Sequence, residues 1–564
     1  MATVTGGRLA AEALIEKKIE YVFTLSGGHI TPIYQHLENS PVKLFDTRHE
    51  QAAVFMAEAW GRMTRKPGIA MVTAGPGFTN TLSAIANANM ANSPLVLISG
   101  CVGVECIEKL DLQDMRQLPI IEPMVKKALV CHKTNRIPEF IDLAYRTAIT
   151  GRPGPVYLEL PVDVLNASID EAQVKKTNTI VESRPADSGN AAKIIEMIQT
   201  SKNPIVIAGS GAWYSDAGKE LVEFTEKTGI PAFTFALGRG TIPDTHPLCF
   251  ESSLAIRPGA ALFANFSTDL VIFLGSRMSF FYIFGDIFPK EAKIIQVDIK
   301  PEEIGRNRSI DLGIAGDLKA LLGILNRIID EKEIGKSLTD RFSAWVSTLK
   351  QAEKDGKAPS IPNWESNNIP IHPLRLAREI NEFMNKEDDI VVGDGGDTPV
   401  WMGMTRTIRQ PGHYLDSGIY GCLGIGLPYA NAAKLLNPEK RVCLITGDGS
   451  VGFNFMEFET AIRKNLPVVV VISNDLGWGM IRHSQEIKIG HAIEDGTFIG
   501  KVNYHKMVEA LGGKGMYVEK PEDIRPALEE AFASGKTTCI KVMTDPTTLS
   551  PGSTALANLG GYKA

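Results

Sequence analysis

"RVCLITGDGSVGFNFMEFETAIRKN", residues 441–465, consists of an apolar strand, a tight turn and a helix with apolar residues at helical spacing. The turn is formed by Gly447, Asp448, Gly449 and Ser450. Glycines let the backbone approach a phosphate closely, and the start of the helix offers unpaired N–H groups. Asp448 brings a carboxylate to the same place, which makes chemical sense if a cation lies between it and the phosphate. The turn therefore predicts a site for a phosphate and a divalent cation.

The next strand strengthens this interpretation. "LPVVVVIS", residues 466–473, runs into "NDLGWG", which contains a second acidic residue, Asp475. Neighbouring parallel strands end at the same edge of a sheet, where open α/β sheets bind their ligands. Oxygen ligands of this kind favour Mg²⁺ or Ca²⁺. The alternative is a pair of ordinary Asp-containing turns, but two of them at this spacing favour one metal–diphosphate site.

The whole chain alternates apolar strands with helix-length segments, which predicts α/β structure with parallel sheets covered on both faces. The clearest strands are 69–73, 95–99, 204–209, 270–275, 293–298, 389–394, 441–446 and 466–473. Two polar, proline-containing stretches at 175–190 and 350–373 resemble linkers. We therefore predict three domains over residues 1–174, 190–345 and 370–550, each of ordinary domain size.

Composition narrows the classes of function. The 65 acidic residues exceed the 59 basic ones, which gives a net charge of −6, and no basic run suggests a nucleic acid or an anionic membrane as partner. No apolar stretch is long enough to span a bilayer. The seven cysteines form no CxxC pair. We expect a cytoplasmic protein that acts on a small molecule.

"GDGS" followed by "ND" resembles the diphosphate–Mg²⁺ motif of thiamine diphosphate-dependent enzymes. Within them, the chain is similar to the acetolactate synthase and benzaldehyde lyase family, and most similar to benzaldehyde lyase. The likeness extends over nearly the whole chain, including "DTRHEQAA" at 46–53, "VTAGPGFTN" at 72–80 and "GRPGPVYLELPVDV" at 151–164. It implies three doubly wound parallel-sheet domains, which bind the pyrimidine, form a central domain and bind the diphosphate, in that order.

The resemblance implies thiamine diphosphate and Mg²⁺ as cofactors and a set of residues that hold them. The metal ligands would be the side chains of Asp448 and Asp475 and the backbone carbonyl of Gly477, although the family usually has asparagine at position 475. Leu423 would be the bulky residue that bends the cofactor. The other expected contacts are Gly396, Asp397, Thr398, Gly421, Gly447, Gly449, Ser450, Trp478 and Gly479.

Glu50 lies at the start of a predicted helix, where a carboxylate could do no more than stabilise the first turn. The resemblance instead implies that Glu50 is the activating glutamate, which hydrogen-bonds the aminopyrimidine of the cofactor. In the family this glutamate and the diphosphate site belong to different subunits. We therefore expect at least a homodimer, and a homotetramer as the complete assembly.

"GGHI" and "DLQDM" match the active-site histidine and glutamine segments of benzaldehyde lyase. His29 would exchange a proton with the substrate hydroxyl, and Gln113 would hydrogen-bond a substrate oxygen. Gly28, Met480 and Arg482 complete the expected substrate pocket, with Arg482 as a cation for a carboxylate or phosphate. The implied function is a carbon–carbon lyase or carboligase that cleaves or forms 2-hydroxy ketones.

Two departures keep other reactions open. Benzaldehyde lyase has a second histidine where this chain has Ser417, and acetolactate synthases usually carry a tryptophan where Ser484 stands. The alternatives are an acetolactate synthase that condenses 2-keto acids and a 2-hydroxyacyl-CoA lyase. In the middle block, Gly209 and Gly211 resemble part of a dinucleotide fingerprint, but Tyr214 occupies the third glycine position. NAD is therefore disfavoured, while FAD or a CoA group in the central domain stays open.

Overall fold

The computed structural model describes residues 2–174, 188–254 and 257–558 of the 564-residue chain. Three six-stranded parallel sheets follow one another along the chain, which confirms the α/β class with three parallel-sheet domains. Most of the first predicted linker, residues 175–187, lies outside the described residues. Within the described ranges, no helix combines the length and the apolar character that crossing a bilayer requires.

The strands are short and mostly buried on both faces. In the N-terminal domain they are β1 (Thr3–Thr5), β2 (Tyr21–Thr24), β3 (Lys43–Asp46), β4 (Gly68–Val72), β5 (Leu95–Cys101), β6 (Lys127–Val130), β7 (Pro155–Pro161) and β8 (Ser168–Asp170). The central domain has β9 (Pro204–Ala208), β10 (Ala232–Thr234), β11 (Cys249–Ser252), β12 (Leu270–Leu274), β13 (Lys293–Asp298) and β14 (Leu312–Ala315). The C-terminal domain has β15 (Ile390–Asp394), β16 (Tyr414–Leu415), β17 (Val442–Gly447), β18 (Val469–Asn474), β19 (Lys514–Val518) and β20 (Thr538–Met543).

The first and third sheets have the same topology. Their strand orders are β3-β2-β4-β5-β7-β6 and β16-β15-β17-β18-β20-β19, while β1 and β8 form a separate antiparallel pair. The central sheet has the order β11-β10-β9-β12-β13-β14, which is the order of dinucleotide-binding folds. In each sheet the strand order reverses beside its first strand: between β2 and β4, between β9 and β12, and between β15 and β17. Ligands of open α/β sheets bind at such points.

Helices cover both faces of every sheet. In the N-terminal domain they are Gly6–Glu16, Thr31–Leu37, Glu50–Thr64, Pro76–Thr79, Leu82–Ala91, Gln117–Ile121, Ile137–Ile149 and Val162–Asn166. The central part contains Ser188–Thr200, Ser210–Tyr214, Gly218–Thr228, Ala260–Ser267, Leu318–Glu331, Gly335–Lys357 and Ile361–Trp364. The C-terminal domain contains Pro373–Phe383, Asp397–Thr405, Gly426–Leu436, Asp448–Val451, Glu457–Arg463, Gly479–Ile489, Glu494–Thr497, Tyr504–Ala510, Ile524–Ala533 and Pro551–Asn558.

The predicted linker at 350–373 begins inside a helix. Helix Gly335–Lys357 continues past residue 350, because its Glu353 pairs with Arg257, whose guanidinium lies 2.6 Å from the Glu353 Oε1 atom. Arg257 is fully buried and also pairs with Glu251 at 2.6 Å. These ion pairs hold the polar end of the helix on the central domain. The pair of Arg257 with Glu353 joins residues 96 positions apart, so local composition does not reveal it.

The N-terminal and C-terminal domains share one apolar core. Helix Glu50–Thr64 packs against helix Gly426–Leu436, and a single cluster contains buried side chains from both flanking sheets. Within this contact Arg62 donates to the hydroxyl of Tyr429 at 3.1 Å. The central sheet is covered on its two faces by clusters of its own. The shared core therefore fixes the outer two domains relative to each other.

Glu457 adds a polar contact between the same two domains. Its carboxylate accepts the backbone N–H of Arg48, two residues before helix Glu50–Thr64, at 2.9 Å. The side chain is 1% exposed, and this burial raises the pKa of Glu457 to about 7. A carboxyl group whose pKa is higher in the folded state than in the unfolded state lowers the stability as the pH rises through the interval between the two values.

We predict that Glu457→Gln stabilises the protein at pH 8 and changes little at pH 5. Glutamine keeps the oxygen that accepts the Arg48 N–H but carries no charge to desolvate. The expected gain in the free energy of unfolding is about 1 to 3 kcal/mol at pH 8. Thermal unfolding at both pH values measures it, with the exposed Glu529→Gln as control. An equal change in melting temperature at pH 5 and pH 8 would contradict this assignment.

Candidate active site

The point of strand reversal in the C-terminal sheet opens into a cavity of about 1660 Å³. Every cofactor contact predicted in this domain lines it, and so does Met480. Those residues are Gly396, Asp397, Thr398, Gly421, Leu423, Gly447, Asp448, Gly449, Ser450, Asp475, Gly477, Trp478 and Gly479. The loops after β15, β17 and β18 supply most of them. The structure thus brings together residues that are up to about 80 positions apart in the sequence.

Several of these glycines allow close packing around the cavity. A Cβ atom on Gly449 would lie 2.6 Å from the Trp478 ring, and one on Gly396 would lie 2.9 Å from the Cβ atom of Met480. A Cβ atom on Gly477 would lie 2.3 Å from the Thr497 carbonyl oxygen. Larger residues at these positions would push the loops apart. The glycines therefore serve the packing of the loops as well as access to a phosphate.

Asp448 lies buried at the end of β17, where helix Asp448–Val451 begins. Its Oδ2 atom accepts a hydrogen bond from the Asn474 side chain at 3.1 Å, and its backbone carbonyl accepts one from the Tyr504 hydroxyl at 2.9 Å. Its Oδ1 atom is buried and has no hydrogen-bond partner among the residues that the structure describes. Burial and the neighbouring carboxyl of Asp475 raise the pKa of Asp448. A cation between the two carboxylates would satisfy the free oxygen and offset the repulsion between the two negative charges.

The donor set fits Mg²⁺. Two carboxylates and a backbone carbonyl are oxygen ligands, and Mg²⁺ is commonly held by one or two carboxylates together with phosphate oxygens and water. Among the described residues, no group of three or more His, Cys, Asp and Glu side chains is arranged to hold a metal alone. Leu476, between Asp475 and Gly477, has a φ angle of 67°. A left-handed conformation at a non-glycine residue is strained and typical of ligand-binding loops.

Two predicted residues have unexpected partners. The Asp397 carboxylate accepts hydrogen bonds from Ser550 and Ser553, the latter at 2.7 Å. A diphosphate would therefore meet the backbone at the start of helix Asp397–Thr405 rather than this side chain. Arg482 does not line the cavity: its guanidinium lies 3.1 Å from the Asp475 carboxylate and 2.6 Å from the Pro546 carbonyl oxygen.

The N-terminal residues form a second cluster, at the strand reversal between β2 and β4. Glu50 begins its helix in a buried position and accepts a hydrogen bond from the Asn80 side chain at 2.9 Å. His29 and Gln113 lie on either side of Thr73. The His29 Nδ1 atom is 3.0 Å from the Thr73 hydroxyl, which in turn donates to the Gln113 side-chain oxygen at 3.5 Å.

The environment of His29 favours a neutral imidazole. Partial burial lowers the pKa of His29, with a smaller opposing influence from Asp111. A Cβ atom on Gly28, the preceding residue, would meet no atom of the described residues within 4 Å other than those of its chain neighbours, so space is open at this position. Gln113 itself has a φ angle of 66°, and the Gly75 loop packs on it. The Gly75 N–H donates to the buried Gln117 side chain at 2.9 Å, which anchors this loop.

The two clusters do not meet within one chain. The cavity around Asp448 is lined by no part of Glu50, His29 or Gln113. It extends instead towards the strand reversal of the central sheet, where Ser210, Gly275 and Asp317 line it. Gly209 and Gly211 are packing residues there, because a Cβ atom on either would lie within about 2.7 Å of the Gly275–Ser276 backbone.

Sequence reasoning missed two polar residues of the site. Asn474 is the first residue of the "ND" motif, and it holds Asp448 from the end of the adjacent strand. Thr73 lies in "VTAGPGFTN", residues 72–80, and links His29 to Gln113. Asn474 is the last residue of its strand, and Thr73 directly follows one. This position at a strand end is the signal from which a role in the site could have been predicted.

Comparison with known proteins gives three matches along the chain. Residues 4–120 match the family model for the thiamine pyrophosphate enzyme N-terminal TPP binding domain, residues 191–325 the central domain, and residues 394–542 the C-terminal TPP binding domain. A protein of Mycobacterium bovis named "Probable acetolactate synthase" is 34% identical, over 98% of both chains. The 2-hydroxyacyl-CoA lyase of Arabidopsis thaliana is 31% identical, over 96% of both chains.

We predict that Asp448→Ala weakens the Mg²⁺-dependent binding of thiamine diphosphate at least about 100-fold, because the substitution removes a charged ligand of the cation. Titration calorimetry on the cofactor-free protein measures the affinity. The cofactor-free variant should remain folded, since the substitution removes a buried carboxyl group. Asp388→Ala, at an exposed position in the same domain, is the control. Unchanged affinity in Asp448→Ala would rule out this cation site.

Proposed function

The chain belongs to the thiamine pyrophosphate-dependent enzymes, whose cofactor is also called thiamine diphosphate, and we propose that it cleaves or forms the carbon–carbon bond of 2-hydroxy ketones with Mg²⁺ as metal. The observation that carries the proposal is the arrangement of His29, Thr73 and Gln113 beside the open space at Gly28. Each of these groups suits a substrate that has a hydroxyl group next to a carbonyl group.

The hydrogen-bond chain supports one role for His29 and another for Gln113. Because the Thr73 hydroxyl donates its proton to Gln113, it accepts one from the His29 Nδ1 atom. The His29 Nε2 atom then carries the lone pair, which takes the proton of the substrate hydroxyl as the carbon–carbon bond breaks and returns it in the reverse direction. The Gln113 amide N–H groups stay available to donate to the substrate oxygen.

The bound cofactor would supply a carbanion that adds to the carbonyl carbon and holds the electron pair of the cleaved bond. The glycine-containing turns after β15 and β17 would hold its diphosphate, with Mg²⁺ between Asp448, Asp475 and the Gly477 carbonyl. Leu423 lines the same cavity and would set the bend of the cofactor. Glu50 would hydrogen-bond the aminopyrimidine from the N-terminal domain.

A complete site requires a second copy of the chain under this proposal. Glu50, His29 and Gln113 lie outside the cavity that contains Asp448, so the N-terminal cluster of one subunit would close the diphosphate site of its partner. A homodimer is the smallest assembly that provides both halves, and a homotetramer of two such dimers is the expected complete form. Light scattering of the purified protein measures the assembly.

Acetolactate synthase chemistry is the second candidate, supported by relatives that carry this name. A 2-keto acid substrate brings a carboxylate, which needs a cation near the reacting carbon. Arg482, the cation expected from the sequence, is engaged with Asp475 and Pro546. Ser484, at the position of the usual tryptophan, donates to the Met480 carbonyl of its own helix. These observations support the lyase reaction more than the acetolactate synthase reaction.

A 2-hydroxyacyl-CoA lyase is the third candidate, and the extent of the cavity favours it. The cavity is larger than the usual 300–1,000 Å³ of small-molecule sites. It continues to the central domain, whose strand order suits a nucleotide such as that of CoA or FAD. An absorption band near 450 nm in the purified protein would identify a flavin there.

Product analysis distinguishes the three reactions. The protein, loaded with thiamine diphosphate and Mg²⁺, is incubated separately with an acyloin, with pyruvate and with a 2-hydroxyacyl-CoA. Aldehyde from the acyloin supports the lyase, carbon dioxide from pyruvate supports the synthase, and formyl-CoA from the thioester supports the third candidate. Release of carbon dioxide from pyruvate without cleavage of acyloins would contradict the main proposal.

We predict that His29→Ala lowers lyase turnover at least about 100-fold while it leaves the affinity for the cofactor within about 2-fold, because only proton transfer is lost. Thr73→Val, which removes the hydroxyl that fixes the His29 tautomer, should produce a smaller loss. Turnover and calorimetric cofactor titration measure the two effects. His36→Ala, at an exposed histidine of the same domain, is the control. Full turnover in His29→Ala would make this histidine a structural residue.

We also predict complementation between two inactive variants. In a mixed dimer of Glu50→Gln and Asp448→Ala, one of the two sites receives an intact Glu50 from one chain and an intact Asp448 from the other. Random association of equal amounts should restore about a quarter of the wild-type activity. The variants are co-expressed, and each one alone is the control. Mixed dimers that form but stay inactive would exclude a site shared between chains.

A further inference from the structure

Asp475 adds a negative charge to a site that already contains other acidic groups. The Asp448 carboxylate lies 3.1 Å from the side chain of Asn474, the residue directly before Asp475. A Cβ atom on Gly479 would lie 2.2 Å from the Asp475 Oδ2 atom and 3.2 Å from the Asp397 Oδ2 atom. A diphosphate would bring further negative charge to this edge of the sheet. One divalent cation cannot balance all of these groups, so an asparagine would be the less costly residue at position 475.

Arg482 is placed to balance this charge. One guanidinium nitrogen lies 3.1 Å from the Asp475 Oδ2 atom, and the other lies 3.4 Å from the backbone carbonyl oxygen of the same residue. The first nitrogen also donates to the Pro546 carbonyl at 2.6 Å. Three acceptors on two segments of chain therefore fix the orientation of the planar guanidinium. The Arg482 side chain is 14% exposed, so solvent screens the pair only weakly.

The position of Arg482 along its helix supports the same interpretation. Helix Gly479–Ile489 begins three residues earlier, so the cation lies in the first turn, where the helix dipole disfavours positive charge. His483, the next residue, donates its Nε2–H to the same Pro546 carbonyl oxygen at 3.0 Å. An arginine at this point needs a compensating acidic partner, and Asp475 is that partner.

We propose that Arg482 is a positioning residue of the cation site: it cancels the charge that Asp475 adds and holds the Asp475 Oδ2 atom, so that Oδ1 is left for the cation. Asp475 and Arg482 together then have the role that a single asparagine at position 475 would have. Arg482 is then not part of the substrate pocket, because Arg482 would have to leave Asp475 to bind a substrate carboxylate. This proposal rests on the cofactor of the family and does not depend on which carbonyl substrate reacts.

A double-mutant cycle tests the proposal without any substrate. Arg482→Met, Asp475→Asn and the double variant are prepared free of cofactor, and the affinity for thiamine diphosphate at fixed Mg²⁺ is measured by calorimetry. Arg482→Met alone should weaken binding about 10-fold or more, because it leaves Asp475 uncompensated. In the Asp475→Asn background the same substitution should change the affinity less than about 3-fold. Arg482→Lys, which keeps the charge but not the fork of donors, should fall between Arg482→Met and the wild type.

The controls separate this role from two others. Arg525→Met removes an exposed arginine of the same domain and should leave the affinity unchanged. An equal loss in both backgrounds, or an unchanged cofactor affinity together with a raised KM for an anionic substrate, would overturn the proposal. If Arg482→Met does not fold, recovery of folding in the double variant supports the pair, and its absence overturns it. Failure of the lyase assay would leave these binding measurements unaffected.

Discussion

The shared core between the first and third domains is the constraint on which the rest of the structure depends. Helix Glu50–Thr64 packs on helix Gly426–Leu436, and one apolar cluster extends from one sheet to the other. The start of the first helix carries Glu50, so the same packing that joins the domains also fixes where this carboxylate lies. Because the domains are held in this way, neither cluster of functional residues can turn towards the other within a chain. The proposed assembly of sites between subunits follows from this rigidity.

The sequence was sufficient for the parts of the site that depend on strand ends. The eight apolar stretches became strands, and the residues of "GDGS" and "ND" came together because parallel strands bring their ends to one edge. The family match agrees with the resemblance to thiamine diphosphate-dependent enzymes. Local pattern and topology carry this information, so a single sequence contains it.

The side-chain partners could not be obtained in the same way. Arg482 was expected to face the substrate, but its acceptors are Asp475, seven positions earlier and outside its helix, and the carbonyl of Pro546, more than 60 positions later. Asp397 pairs with Ser550 and Ser553, which lie about 150 positions away. No periodicity or propensity encodes such contacts, because they arise only when separate loops converge at one sheet edge. The role of Thr73 has the same origin, since it depends on where β4 ends relative to His29.

The identical strand order of the first and third domains has a consequence for how the chemistry is divided between them. Two domains with the same strand order present the loops after corresponding strands at equivalent positions. These positions carry different residues: the first domain has His29 and Thr73 after β2 and β4, and the third has the Asp448 turn after β17. One architecture therefore supports a proton-handling half and an anion-holding half, because the difference lies in a few loop side chains and not in the sheet.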